Sequence, residues 1–489
     1  MAFAPTSPVS ASVESRRTIG MLLLFTGLGA VIAGSTMPTL YAAGGLAAAA
    51  FMGVAAWSPR YGLYLLVVYA ELAAGFVKIL AGGSYLAAAV VDLMSLLVLV
   101  AAVIQFGIPT LRTALDKLVV LFIPLVLLMA VLNPAAPGGL QLAGGIRTLI
   151  LYLPFYFVAR ALVPTRRDEH RLVALLLAGA AVLGLISAVQ YKMGPDWAQS
   201  HHLATRVVLD WGASAGGYRP SSMFPLPGVA GMFFAAMLVL NTAVLLRPEG
   251  RYRGRYILTA LPIVFGLMAS GQRAALLGCG FAMLVLAILT RSRRLVGVLL
   301  LATAALVASA VIGVGPSRVT SGVAGNNAHS TQTRFKTWTS VAEQLPTFPF
   351  GHGPGYTGSS AYRFGSRVGA TPRVVSDNYW VKQLWEMGIL GALWYTAVLA
   401  LAALAALRLF RAARPESGAV ALAVCGLIAQ QASASWFTNA LDPSPYNLIF
   451  WLFVGLARMP SREDAAEAEV FGQVSEPAPA RLRPQNAAV

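Results

Sequence analysis

Stretches of mostly apolar residues about 20 long, the length a helix needs to cross the hydrocarbon core of a bilayer, recur along this chain from Thr18 onward. Roughly 14 of them are separated by short links rich in Arg, Pro and Gly. Composition agrees with that pattern: 57% of residues are hydrophobic and 11% charged, with a mean hydropathy of +0.69. A chain like this has the bilayer as its solvent, and in lipid every backbone polar group must be satisfied internally. The expected fold class is therefore all-α, a polytopic transmembrane helix bundle of about 12–14 spans with a large extracytoplasmic loop containing short helices.

The expected spans cover 18–34, 39–56, 61–81, 85–106, 118–132, 146–163, 172–191, 223–246, 256–270, 274–290, 295–315, 387–407, 418–436 and 445–457. This divides the chain into a cytoplasmic N-terminal segment 1–17, a helix bundle 18–315 with an outer loop at about 193–222, a large outer loop 316–386, C-terminal spans 387–458 and a tail 459–489. The tail is rich in Ala, Pro, Glu and Arg, too poor in apolar side chains to form a core, and reads as disordered and cytoplasmic. No fixed-period repeat is visible.

The formal net charge is +17, yet the basic residues are spread over many links and form no compact aromatic-basic module, so they argue against nucleic acid as a partner. They report topology instead. Starting with Arg16 and Arg17 in the cytoplasm, alternate crossings bring Arg60, Arg112, Lys117, Arg166, Arg167, Arg171, Arg247, Arg291, Arg408 and Arg458 to the same side. The short opposite links 82–84, 134–145 and 437–445 carry no Lys or Arg. Both termini are thus expected inside and the large loop outside. Reading the first apolar run as a signal peptide, cut after Ala33-Gly34-Ser35, would break this alternation.

The outer loops themselves carry Lys192, Arg206, Arg219, Arg273, Arg318, Arg334, Lys336, Arg363, Arg367, Arg373 and Lys382 against few acids, which suits an anionic visitor or lipid headgroups. Arg273 sits in Ser270-Gly271-Gln272-Arg273 between two apolar runs, where a guanidinium needs a partner or a ligand. Arg219 stands between flexible Gly216-Gly217 and rigid Pro220 at the entry to a span. Farther on, Phe335, Trp338, Ala342 and Leu345 recur at helical spacing, predicting an amphipathic helix whose stripe core packing alone would explain. The glycines of Phe348-Pro349-Phe350-Gly351-His352-Gly353-Pro354-Gly355-Tyr356 would let backbone N–H groups approach an anion. Asp377 and Asn378 stand where a helix would start, as an N-cap or as functional groups. Cys279 and Cys425 lie inside apolar runs with no disulfide or thiolate-metal spacing, and no His, Cys or carboxylate set has metal-ligand spacing.

In their order along the chain, Arg219 before a span, SGQRAALLG around Arg273, RFKTW around Arg334, PFGHGPG around His352 and DNYWVKQLWEMGILG from Asp377 resemble the O-antigen ligase and polymerase family. The resemblance is best in the later half. It implies a glycosyltransferase of the bacterial cytoplasmic (inner) membrane, taking a glycan from a polyprenyl-pyrophosphate carrier on the outer face and passing it to an acceptor glycan or glycolipid, with no cofactor. Members resembling the ligases commonly have a His just before the Asn of the last motif; Asp377 stands there in this chain, so polymerase and ligase stay equally open. On this resemblance Arg219, Arg273 and Arg334 hold the donor pyrophosphate, Asp377 accepts the acceptor's proton with His352 in reserve, and Tyr356, Asn378 and Tyr379 contact substrate, without a metal. Two alternatives stand beside it: a secondary transporter, suggested by intramembrane Glu71, Lys78 and Asp92, and a non-catalytic, lipid-binding component of an envelope assembly.

Overall fold

The computed structural model describes residues 50–73, 75, 86–203, 218–246, 253–297, 336–364, 377–412, 418–442 and 444–457. The expected span 18–34, most of 39–56 and of 295–315, the tail, Arg334 and Lys78 lie outside the described residues. Among the described residues all regular structure is helical: besides helical stretches at 50–57 and 293–297 it comprises α1 (Pro59–Val68) running into a π-helical turn (Tyr69–Ala73), α2 (Leu86–Phe106), α3 (Ala114–Leu132), α4 (Gly139–Ile150), α5 (Phe155–Leu162), α6 (Arg166–Ser200), α7 (Pro227–Leu246), α8 (Arg253–Ala269), α9 (Arg273–Thr290), α10 (336–344), α11 (Gly358–Phe364), α12 (Tyr379–Ala412), α13 (Ala419–Ala434) and α14 (Tyr446–Leu456). Six of these are long and apolar enough to cross a membrane, and a seventh if α4 and α5 form one bent span. The chain is a polytopic helix bundle.

Two expected spans, 146–163 and 387–407, contain breaks that the sequence encodes locally, and a third, 172–191, is followed by one. The stretch 146–163 is two helices, α4 starting at Gly139 and α5 following a 40° bend; Pro154 at the bend has no N–H to continue the helical ladder. Helix α6 begins at Arg166 and ends at Ser200, with Gly194-Pro195 taking it out of helical geometry (Gly194 φ 86°, ψ −179°). Helix α12 starts at Tyr379 and breaks at Gly388 (φ 63°, ψ −152°).

Helix α7 is apolar all round and lies in the middle of the bundle, as such helices do. Close approach at small residues fixes the direction of its neighbours. Gly231 of α7 lies against Ser270, Gln272 and Ala275, and Gly266 of α8 against the Phe234 ring. In α9, Gly278 lies against Gln430 and Ala434, while Gly426 of α13 meets Leu286. Helices α9 and α13 therefore run antiparallel, and the start of α9 is level with the end of α13. The same end receives the start of α12, because the Tyr379 N–H donates to the Ser435 carbonyl (2.8 Å) and Asn378 Nδ2 to the Trp436 carbonyl (3.0 Å). Long α3 reaches this end too, where Asn133 Nδ2 donates to the Gly351 carbonyl (2.9 Å). Toward its other end α3 packs on α12 through stacked Phe122 and Trp394, with ring centroids 3.5 Å apart.

Candidate functional site

The end of the bundle that holds the start of α9 gathers most of the residues singled out by sequence. Arg219 is held by the segment after it. The Gln190 side chain pairs with the Ser222 backbone like a strand edge, accepting from its N–H (2.9 Å) and donating to its carbonyl (2.8 Å), while Ser222 Oγ donates to the Leu183 carbonyl (2.8 Å). Ser221 Oγ donates to the Leu203 carbonyl (3.2 Å). This buried clamp between α6 and the entry of α7 leaves Arg219 little freedom at its backbone.

From there the Arg219 side chain runs along the turn between α8 and α9. Gly271 (φ +58°) makes that turn, and a Cβ on it would sit 3.1 Å from Arg219 Nε, so a larger residue would crowd the guanidinium. Arg273 begins α9 one residue after the Gln272 N-cap. The two arginines, far apart in the chain, are thus neighbours. Burial first, and the Arg273 charge second, lower the proton affinity of the Arg219 guanidinium from its usual value. The start of α9 lies at the same place, adding the positive end of a helix dipole.

The Gly-rich segment takes its shape from the break in α12. With Gly388 out of helical geometry, the Trp385 and Glu386 carbonyls lose their intrahelical donors and the Ile389 N–H loses its acceptor, and such buried groups must find partners. The loop supplies all three. His352 N–H donates to the Trp385 carbonyl (2.7 Å), Gly353 N–H to the Glu386 carbonyl (3.0 Å), and Ile389 N–H to the Pro349 carbonyl (3.0 Å). Gly351 must be glycine on two counts: its φ is +74°, and a Cβ would lie 2.6 Å from the Gly388 nitrogen.

Those N–H groups are therefore spent on backbone carbonyls, and the anion that this turn does cradle is internal. The Glu386 carboxylate accepts from the Thr357 N–H (3.2 Å) and from that of Gly355. The same carboxylate lies 3.5 Å from Lys382 Nζ, which is 2.7 Å from Asp442 Oδ1. All three side chains are buried. Lys382, which the sequence reading counts among the outer basic residues, is thus an internal cation, and Asp442 enters the site unanticipated. A signal for the Lys382–Glu386 pair alone was available: Lys and Glu four residues apart at the head of an apolar helix, facing one another on one side of it.

His352 is buried between the Phe348 ring (centroids 4.3 Å) and the Tyr356 ring (4.2 Å, interplanar angle 14°). Its Nδ1 has no hydrogen-bond partner among the described residues. Burial lowers the proton affinity of the ring, partly offset by the backbone hydrogen bond at Trp385, so His352 favours the neutral form.

At the head of α12, Asn378 caps the helix: its Oδ1 accepts from the Val381 N–H (3.1 Å). Tyr379 is buried edge-on to Tyr395, with centroids 4.9 Å apart. Both side chains of the expected substrate-contacting pair are therefore committed to fixing α12, whereas Asp377 stands exposed just before it. The amphipathic helix is present as α10; Trp338 and Val341 turn toward Val381 and Trp385, while Ala342 of the expected stripe is exposed. The bundle also answers the intramembrane charges. Arg147, overlooked in the sequence, makes a bidentate pair with Asp92 (2.5 and 2.7 Å), and the Tyr152 hydroxyl donates to the same carboxylate (2.8 Å). Glu71 is buried in the π-helical turn against Gly179.

No curated protein matches the chain significantly. A family model described as O-antigen ligase matches residues 258–396, a stretch that runs from within α8 through Arg273, His352 and Asp377 into α12. The chain is thus a polytopic helix bundle with helices long and apolar enough to cross a membrane, and its stretch 258–396 is similar to the O-antigen ligase family.

Proposed function

We propose that this protein transfers or polymerises a glycan taken from a polyprenyl-pyrophosphate carrier at the outer face of the bacterial cytoplasmic membrane. The observation that carries this reading is the convergence of Arg219 and Arg273 at the head of α9. Two planar guanidinium groups beside a helix N-terminus suit a pyrophosphate, which each can bind through parallel charge-assisted hydrogen bonds. The family match over residues 258–396 supports a lipid-linked glycan and an acceptor as substrates in general.

In the proposed reaction the acceptor hydroxyl oxygen attacks the anomeric carbon and the sugar–phosphate bond breaks. The bonding pair leaves on the carrier pyrophosphate, where Arg219 and Arg273 offset the growing charge, and the hydroxyl proton passes to a base. Asp377 is the proposed base, exposed at the head of α12 on the same end of the bundle as Arg273. Neutral His352 is the second candidate, and Tyr356, half-buried on its ring, offers a face to the glycan. Arg suffices to neutralise this leaving group, so the transfer is proposed to be metal-independent and to stay at full rate in chelator.

The test is turnover of a polyprenyl-pyrophosphate-linked oligosaccharide by the purified protein in lipid, following released carrier and glycan length, with Asp377→Ala and Arg273→Ala beside the parent. Carrier release with lengthening chains makes the protein a polymerase; release that awaits an added lipid acceptor makes it a ligase. No release with any acceptor, and variants equal to the parent, would refute the proposal and favour transport.

A further inference from the structure

The loop that carries His352 and Tyr356 rests on charged groups that lie wholly inside the protein. Asp442 Oδ2 accepts from the Ser359 N–H (3.2 Å) and Glu386 Oε1 from the Thr357 N–H (3.2 Å), so the N–H groups of both residues that flank Gly358 are held by carboxylates. Lys382 lies between those carboxylates, 2.7 Å from Asp442 and 3.5 Å from Glu386, and 3.5 Å from Thr148 Oγ1 of α4. Gly358 (φ +73°) sits directly on the network: a Cβ there would be 2.5 Å from Asp442 Oδ2 and 3.1 Å from Lys382 Nζ. Glu386 grips the loop twice, its carbonyl on the Gly353 N–H (3.0 Å) and its carboxylate on the Thr357 N–H. Between those two grips lies Tyr356, and His352 is just before them.

We propose that Lys382, Glu386 and Asp442 are positioning residues for transfer, locking the 351–359 loop onto the broken α12 and thereby setting His352 and Tyr356. The inference rests on the reading that this loop serves glycan transfer. Its physical basis is that charge-assisted hydrogen bonds hold backbone more firmly than neutral ones, whereas a buried ion network adds little net stability over neutral groups of the same shape. The network joins four segments distant in sequence: α4, the loop, α12 and the turn before α14. Its role is geometric.

The experiment uses the full chain in lipid bilayers and the neutral, near-isosteric triple variant Lys382→Met, Glu386→Gln, Asp442→Asn. Spin labels replace Phe350, 55% exposed on the loop, and Leu393, 60% exposed on α12; buried Cys279 and Cys425 stay out of the labelling. The triple variant is expected to unfold near the parent temperature and to give a broadened 350–393 distance distribution. Its kcat should fall on the order of 10- to 100-fold, as small misplacements of reacting groups do, with KM for the lipid-linked donor unchanged because Arg219 and Arg273 are untouched. A narrow, parent-like distribution or a parent-like kcat would overturn the proposal. Should the triple variant fail to fold, Gly358→Ala, which leaves every charge in place, must shift the same distance; no shift overturns the proposal equally. If the parent itself transfers no glycan while the distribution still broadens, the glycan reading falls and the locking role stands.

Discussion

Replacing Gly388 by Ala should release the Gly-rich loop from α12. Gly388 has φ 63° and ψ −152°, a region open essentially to glycine, and forcing another residue into it costs about 1–3 kcal/mol. The new Cβ would also lie 2.6 Å from the Phe350 Cα and carbonyl carbon, and closer still to the Pro349 carbonyl oxygen. Overpacking of that kind adds about 1–3 kcal/mol. The straight helix gains about 1 kcal/mol from Ala over Gly. Together these favour straightening by about 3–7 kcal/mol. Opposing them are the three bonds between loop and helix, about 1 kcal/mol each, and straightening replaces them with helical bonds from Ile389 and the residue after it. The loop therefore loses. Hydrogen–deuterium exchange on a peptide covering 348–357 reads the outcome directly, because the His352 and Gly353 N–H groups lose their acceptors. Exchange should quicken there while α7 and α13 keep parent protection, and glycan transfer should fall at least about tenfold, the equivalent of 1.4 kcal/mol. Unchanged protection of this peptide would refute the account of the break as the feature that shapes the loop.

Arg219→Lys and Arg273→Lys should each reduce turnover about tenfold or more although charge is kept, since an ammonium cannot make the paired hydrogen bonds of a guanidinium; steady-state carrier release at saturating donor measures this, and a parent rate removes that residue from the scheme. His352 has a folded proton affinity below the ordinary value of about 6.5. The unfolded chain then binds the proton first, so this contribution to stability is complete above about pH 6.5 and is lost as pH falls from there toward the folded value. Thermal unfolding of His352→Gln should show a shallower loss of stability on acidification than the parent; identical slopes would contradict the burial argument. Asp92→Asn should lower thermal stability, because Arg147 loses its bidentate partner, and leave glycan transfer within about threefold of the parent, the span of roughly 0.6 kcal/mol. Abolished transfer with a normal unfolding temperature would instead mark Asp92 as part of the working pathway.

Much of this molecule is legible without coordinates because its causes are local. A run of apolar residues about 20 long needs only its own backbone hydrogen bonds to be stable in lipid, so the helical class and most helix positions, such as α2, α7 and α9, follow from the chain alone. Positive φ at Gly271, Gly351, Gly353 and Gly355 likewise agrees with glycines whose turn-forming role is visible in SGQR and PFGHGPG. The break at Pro154 was marked by residue type but masked by long apolar surroundings that read as one continuous span, whereas Gly194 falls just past the end of the expected span 172–191.

What tertiary structure decided is which of these pieces meet. Charge type and spacing cannot tell that Lys382 turns inward to Asp442 while Arg273 of the same outer set stays exposed, because the difference lies in which segments close over each side chain. The break at Gly388 matters for the same reason: a lone glycine in a helix costs little, and only the loop packed against it makes the interrupted geometry the lower one. Asn378 and Tyr379 read as substrate contacts in the sequence and as anchors of α12 in the fold, since the Ser435 and Trp436 carbonyls that receive the Tyr379 N–H and the Asn378 amide come from the far end of the next helix. Length and hydropathy are sums over neighbours in sequence; a site is a coincidence of strangers in sequence, and packing brings them together.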